Sequence, residues 1–198
     1  PSFAQQWITR FGFEAEKHPA YLTMALGAGS VTPMQMASAY GVFANGGYLV
    51  APRLIERLTD SQGHVLLQTD APALDDSMRT VDARNAFVMT SMLQEVTRSG
   101  TAARAQASLK RTDIYGKTGT TNDSMDAWFA GWHPSVVAVV WIGYDNPRKL
   151  GDRETGGGLA LPVWIEYMTQ VLKGLPVQEA QPPEGVINVG GDWTFEEY

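Results

Sequence analysis

The chain contains no cysteine, which excludes disulfides and thiolate metal sites and leaves the redox compartment open. It has no apolar run approaching the roughly 20 residues that a membrane-crossing helix needs. Positive charge is also short: 15 lysines and arginines stand against 21 acids, for a net charge of −6. That balance argues against nucleic acid as the main partner, because phosphate backbones require a basic face. Only three histidines occur in 198 residues, and each has an ordinary reading. His18 lies beside Pro19 and reads as exposed without a partner, and His64 lies beside a turn and reads as solvated. His133, in His133-Pro134-Ser135, reads as a turn residue rather than a general base. No metal site or cofactor is expected. There is no internal repeat and no low-complexity tract. Neither an initiator methionine nor a secretion signal opens the chain at Pro1, so a piece of something longer is expected.

What is present is core-forming material. Hydrophobic residues make up 44% of the chain and include six tryptophans, a composition of folded domains rather than disordered chains, at a length that suits one domain. The negative charge is uneven. Between Gly174 and Tyr198 stand Glu179, Glu184, Asp192, Glu196 and Glu197 with no base. This stretch also holds three prolines (Pro176, Pro182 and Pro183) and shows no periodicity. Residues 174–198 therefore read as an acidic tail, extended along the surface or partly disordered, after a domain spanning 1–173.

Within the domain, spacing and punctuation place the elements. Phe3, Trp7, Ile8 and Phe11 recur at helical intervals and stop at Gly12. The best-marked helix starts at Thr32, an N-cap with Pro33 at the first helical position and Gln35 completing a capping box. Its stripe of Met36, Ala37, Tyr40, Phe43 and Ala44 reads as core rather than a cofactor face, and Asn45-Gly46-Gly47 ends it. Arg53 to Leu58 and His64 to Gln68 read as a surface hairpin over Asp60-Ser61-Gln62-Gly63, followed by a loop over 69–80. Asp82 caps a helix to about Ser99, with Ala86, Met89, Met92, Leu93 and Val96 predicted inward. Three strand candidates follow: Ile114–Thr120, Ala127–Trp132 and Val136–Tyr144. The last is apolar at every position from Val136 to Ile142 and needs cover on both faces. Thr155-Gly156-Gly157-Gly158 marks backbone that passes close to a ligand or another strand. A helix from Leu161 to Lys173 comes after it.

The chemistry concentrates in Tyr115-Gly116-Lys117-Thr118-Gly119-Thr120-Thr121. Lys117 supplies an ammonium, three threonines supply hydroxyl donors, and the glycines let an anion approach the backbone. In an extended segment, Lys117 and Gly119 fall on one face and Thr118 and Thr120 on the other, unless a bulge re-aims them. Gly-Lys-Thr is not a phosphate loop here, because that motif's first glycine would fall at Arg111. The fitting alternative is the Lys-Thr-Gly element of serine acyl-transferring enzymes that act on penicillin-like substrates. Thr121, Asn122 and Ser124 read as a solvated turn after the strand.

Several longer motifs agree with that element. Tyr21-Leu22-Thr23-Met24-Ala25-Leu26-Gly27, Val31–Ala37 and Phe43–Gly47 occur in order with Gly116–Trp132, Trp141–Asn146 and Gly156–Trp164, together with Arg98-Ser99-Gly100-Thr101-Ala102-Ala103. In these stretches the chain resembles the carboxyl-terminal part of the transpeptidase domain of class A penicillin-binding proteins, the bifunctional enzymes of peptidoglycan synthesis. The resemblance implies an α+β fold: a five-stranded antiparallel sheet flanked by helices, similar to that of the serine β-lactamases. Its first two strands would lie outside this chain. It implies three active-site elements, of which Ser-x-x-Lys and Ser-x-Asn are absent. No serine here is followed by lysine three residues on or by asparagine two residues on. The nucleophile is thus expected upstream of Pro1, and the chain alone is expected to be inactive.

For the element that remains, the resemblance implies a catalytic role for Lys117 and Thr120 and substrate binding by Thr118, Gly119 and Thr120. The two threonine hydroxyls would take the carboxylate of a D-alanyl terminus or of penicillin, and the Thr120 N–H would form half of an oxyanion hole. Implied partners are peptidoglycan stem peptides and β-lactams, at the periplasmic face of the bacterial inner membrane. The membrane would be reached only through the missing N-terminal part, where a glycosyltransferase domain is also expected. Two other functions fit the same residues: a β-lactamase or D,D-carboxypeptidase-type hydrolase, and a non-catalytic penicillin-sensing module.

Overall fold

In the computed structural model, which describes all 198 residues, the three strand candidates pair as one antiparallel sheet. In chain order, α1 (Ser2–Trp7) and α2 (Pro33–Ala44) precede a hairpin of β1 (Arg57–Thr59) and β2 (Val65–Gln68). Next come α3 (Ala83–Arg98) and α4 (Arg104–Leu109), then the sheet of β3 (Tyr115–Thr120), β4 (Asp126–His133) and β5 (Val136–Gly143). Helix α5 (Leu161–Val171) and a second hairpin, β6 (Val186–Val189) and β7 (Asp192–Phe195), end the chain. The sheet order is β3-β4-β5. β4 is therefore central, and β3 and β5 each keep one open edge.

Alternation along β4 sorts the two faces of this sheet. On one, Trp132 stacks against Tyr115 and meets Tyr40 and Phe43 of α2. On the other, Ala127 and Phe129 join Ile114, Leu161, Trp164 and Met168 in the main core, all at most 1% exposed. Trp164 also donates its indole N–H to the Ala138 carbonyl at 3.0 Å, so this buried ring leaves no orphaned donor. β5 is half-covered along most of its length on both faces, and Trp141 is exposed.

The Thr32 capping box forms as its spacing predicts: the Gln35 N–H donates to Thr32 Oγ1 at 3.1 Å, and the Thr32 N–H to Gln35 Oε1 at 2.9 Å. The core face of α2 is wider than the predicted stripe. Ala39 and Val42 are its most buried residues, and Val42 packs against Val81 and Ala86. Asp82 caps α3 through the Arg84 N–H. The buried residues of α3 are Ala86, Phe87, Thr90 and Thr97, whereas Met92, predicted inward, is 59% exposed. Threonine can occupy these buried places because its hydroxyl finds an acceptor. Thr90 bonds back to the Ala86 carbonyl, and Thr97 to those of Gln94 and Ile114, so the polarity of the side chain misled the pattern.

One further reading is corrected, and two gain detail. His18 is buried, its ring against Phe13 and so close to Gly29 that any Cβ there would collide with the imidazole. His133 ends β4 and does accept the Ser135 N–H at its turn, but its ring is 1% exposed and sits beside Asp113 and Arg111. The tail runs extended along the surface over 175–183, one of its two expected forms, and is pinned to the domain. Arg111 donates to the Leu175 and Pro176 carbonyls, Asp113 accepts from the Gln178 N–H, and Tyr115 Oη from the Ala180 N–H. Beyond them β6 and β7 pair, and Trp193 packs edge-on against Phe87. His64 is exposed as expected and pairs with Asp60.

Candidate active-site rim

The segment entering β3 is pinned before the candidate residues begin. Gln94 donates to the Thr112 carbonyl and Thr97 to that of Ile114, which ties the strand to α3. From Tyr115 onward the register with β4 is unbroken: Lys117 faces Ala130, Thr118 faces Phe129, Gly119 faces Trp128 and Thr120 faces Ala127. With no bulge, the alternation expected from sequence holds. Lys117 and Gly119 point to the face that α2 covers, and Thr118 and Thr120 to the face of α5. A ligand that meets both sets lies along the open edge of β3.

Each side chain of this rim has a defined neighbour. Lys117 is exposed, and its ammonium donates to the Thr118 carbonyl at 2.8 Å. The hydroxyls of Thr118 and Thr101 share a hydrogen bond of 2.7 Å. Thr120 is exposed, and its Oγ1 accepts the Gly156 N–H at 3.0 Å. The close approach read from Thr155-Gly156-Gly157-Gly158 is thus to strands. A Cβ on Gly156 would fall 2.5 Å from the Gly119 carbonyl oxygen and would also strike that of Trp128. Only glycine lets this turn reach β3.

Beyond the strand, Asn122–Ser124 form a short 3₁₀ turn with Asp123 and Ser124 in the left-handed region. Thr121 Oγ1 accepts the Asp126 N–H at 2.9 Å, closing the turn. Asp126 Oδ2 accepts two indole N–H groups, from Trp128 at 3.0 Å and Trp141 at 3.2 Å, and so fixes the aromatic pair beside Gly119. Neither Thr101 nor Asp126 was singled out from sequence as a site residue. Thr101 did lie within a motif of the resemblance, but nothing local ties it to Thr118, 17 residues on. A cavity of about 260 Å³ lies at the other end of the sheet beside Phe87, Tyr115 and Trp132, and no residue from Lys117 to Thr120 lines it. The rim is an open edge.

A family model described as "Penicillin binding protein transpeptidase domain" matches residues 5–169. The chain belongs to the penicillin-binding protein transpeptidase family. Among curated relatives, "Penicillin-binding protein 1A" of Neisseria flavescens is 49% identical over 191 residues, covering 96% of this chain and 24% of that protein. "Penicillin-binding protein 1A" of Pseudomonas aeruginosa is 40% identical over 94% of this chain and 28% of its own length. Among solved structures, penicillin-binding protein 1A from Haemophilus influenzae superposes with a TM-score of 0.85 at 34% identity, over 94% of this chain and 33% of that one. The fold alone is shared with PonA1 from Mycobacterium tuberculosis, at a TM-score of 0.71 and 24% identity over 86% of this chain and 46% of that one. The chain spans about a quarter of the length of the curated relatives it matches. The chain has the mixed α and β structure of this family, and its three-stranded sheet is part of that fold. No helix in it is long and apolar enough to cross a membrane.

Proposed function

We propose that this chain supplies the carboxylate-binding rim of a peptidoglycan D,D-transpeptidase whose serine nucleophile lies in the polypeptide ahead of Pro1. The serine attacks the D-alanyl-D-alanine end of a stem peptide, D-alanine leaves, and the acyl-enzyme passes to an amine on a neighbouring stem peptide. Penicillin acylates the same serine and remains attached. Lys117 contributes positive potential, while Thr118 and Thr120 donate to the carboxylate of the substrate or the drug. The Thr120 N–H pairs with that of the serine as an oxyanion hole, where one donor is typically worth about 3 to 4 kcal/mol of barrier. The bifunctional arrangement with a glycosyltransferase domain, the periplasmic location and membrane attachment through the remainder of the protein belong to the same proposal.

The observation that carries this reading is the partner of the Thr120 hydroxyl. Thr120 Oγ1 accepts from the Gly156 N–H, so its own proton remains free for an incoming anion. Hydrolysis on the same fold requires a base positioned to activate water for deacylation, and no residue of this chain is assigned that role. The test is covalent labelling with a fluorescent penicillin. The chain alone takes no label, and the full-length protein does. Replacing Thr118 and Thr120 together by Ala slows labelling of the full-length protein by about a hundredfold, on the scale of two charge-assisted contacts. A labelling rate indifferent to both substitutions overturns the assignment.

A further inference from the structure

We infer that Thr101 is a positioning residue for this rim, setting the direction in which Thr118 donates its proton; the inference rests on the carboxylate-binding reading above. Thr101 lies in the turn between α3 and α4, and its backbone has little freedom. A Cβ on Gly100 would fall 2.8 Å from Val96 Cα, Ala102 is fully buried, and the Ala102 N–H donates to the Val96 carbonyl at 3.1 Å. On its other side the Thr101 carbonyl oxygen lies 3.1 Å from where a Gly157 Cβ would stand. The hydroxyl is thereby presented to Thr118 Oγ1 at 2.7 Å from a rigid support.

A hydroxyl has one proton to donate, and two hydroxyls in contact share one donated proton between them. If Thr118 donates to Thr101, it presents only lone pairs to an anion and repels it. A bound carboxylate therefore selects one order, with Thr101 donating to Thr118 and Thr118 to the carboxylate. Thr120 is arranged in the same way, because the Gly156 N–H occupies an acceptor position on its oxygen. Both rim threonines thus have a donor behind them, one a side chain and the other a backbone group. The ligand this selects presents acceptor oxygens to both hydroxyls, as a terminal carboxylate does.

The test is a double-variant cycle in the full-length protein, reading the second-order rate of acylation by a fluorescent penicillin. Thr101→Val keeps the shape and removes the donor. It slows acylation by about fivefold, the scale of one neutral hydrogen bond, chiefly through weaker initial binding rather than a slower chemical step. Thr101→Ser restores the donor and the rate. In a Thr118→Val background, Thr101→Val produces no further loss. An equal loss in both backgrounds, or failure of Ser to restore the rate, marks a merely structural role and overturns the inference while leaving the rim assignment standing. If Thr118→Val itself leaves the rate unchanged, the rim assignment fails and this inference falls with it.

Discussion

Asp113, fully buried, is held by the two arms of Arg111 at 2.9 and 2.7 Å and by the Gln178 N–H at 2.7 Å. His133 Nδ1 accepts the Ser135 N–H, which leaves the ring proton on Nε2, 3.1 Å from Asp113 Oδ2. That is the neutral tautomer, and protonating Nδ1 would break its bond to the turn. Burial pushes the His133 pKa below its ordinary value of 6.5, with the Arg111 charge acting the same way and Asp113 opposing. Burial alone would raise the Asp113 carboxyl, but the bonds from Arg111 and Gln178 hold it below the ordinary 3.8. Both groups therefore bind more protons when unfolded, and stability rises with pH across each window. Lowering the pH from 7 should destabilise the domain first as it falls through about 6.5, the ordinary histidine value, and again below about 3.8. Thermal midpoints against pH for the full-length protein and its His133→Gln variant check this: the variant should lose the first decline and keep the second. A variant that retains the first decline would assign it to another group.

At the scale of elements, β5 is the exposed liability. Its run Val136–Ile142 is apolar throughout, one face packs toward α2 and the other toward α5, and its outer edge pairs with nothing in this chain. An open apolar edge is a template for another strand. Produced alone, the 198-residue chain should form oligomers and precipitate at concentrations where the full-length protein stays dispersed, as light scattering or sedimentation would show. Val139→Lys, which places a charge on that strand, should reduce the association of the isolated chain. A sharp monomeric species that melts cooperatively from the unmodified chain would contradict this account of the edge. The strand itself was legible from its run of β-branched residues. That its cover is only partial was not, since half-burial depends on which neighbours are present.

Across the whole molecule, the acidic tail acts as a strap. It crosses the end of the sheet opposite the rim, and its hairpin fastens to α3 through Trp193 on Phe87, Glu197 on Arg84 and the Arg84 guanidinium over Phe195. The exposed ion pair contributes little. The larger effect of the strap is to satisfy Arg111 and Asp113, which would otherwise lose three backbone partners while buried. Deleting residues 175–198 from the full-length protein should lower the thermal midpoint of the transpeptidase domain by roughly 4 °C or more, the scale of about 1 to 2 kcal/mol. An unchanged midpoint would show that water replaces the strap at no cost.

Local spacing by itself determined the Thr32 capping box, the Asp82 cap, the three central strands and the Lys117–Thr120 element. Each of these is encoded within a few residues, and the steric rules of helix and strand act over that range. Only the tertiary structure decided that His18 and His133 are buried, that threonines rather than Met92 line α3, and that the tail is ordered. Arg111 meets Pro176 across 65 residues, and Thr101 meets Thr118 across 17. No local period records such pairs, because burial and hydrogen-bond partnership are set by what the folded chain brings alongside, not by the residue's own polarity.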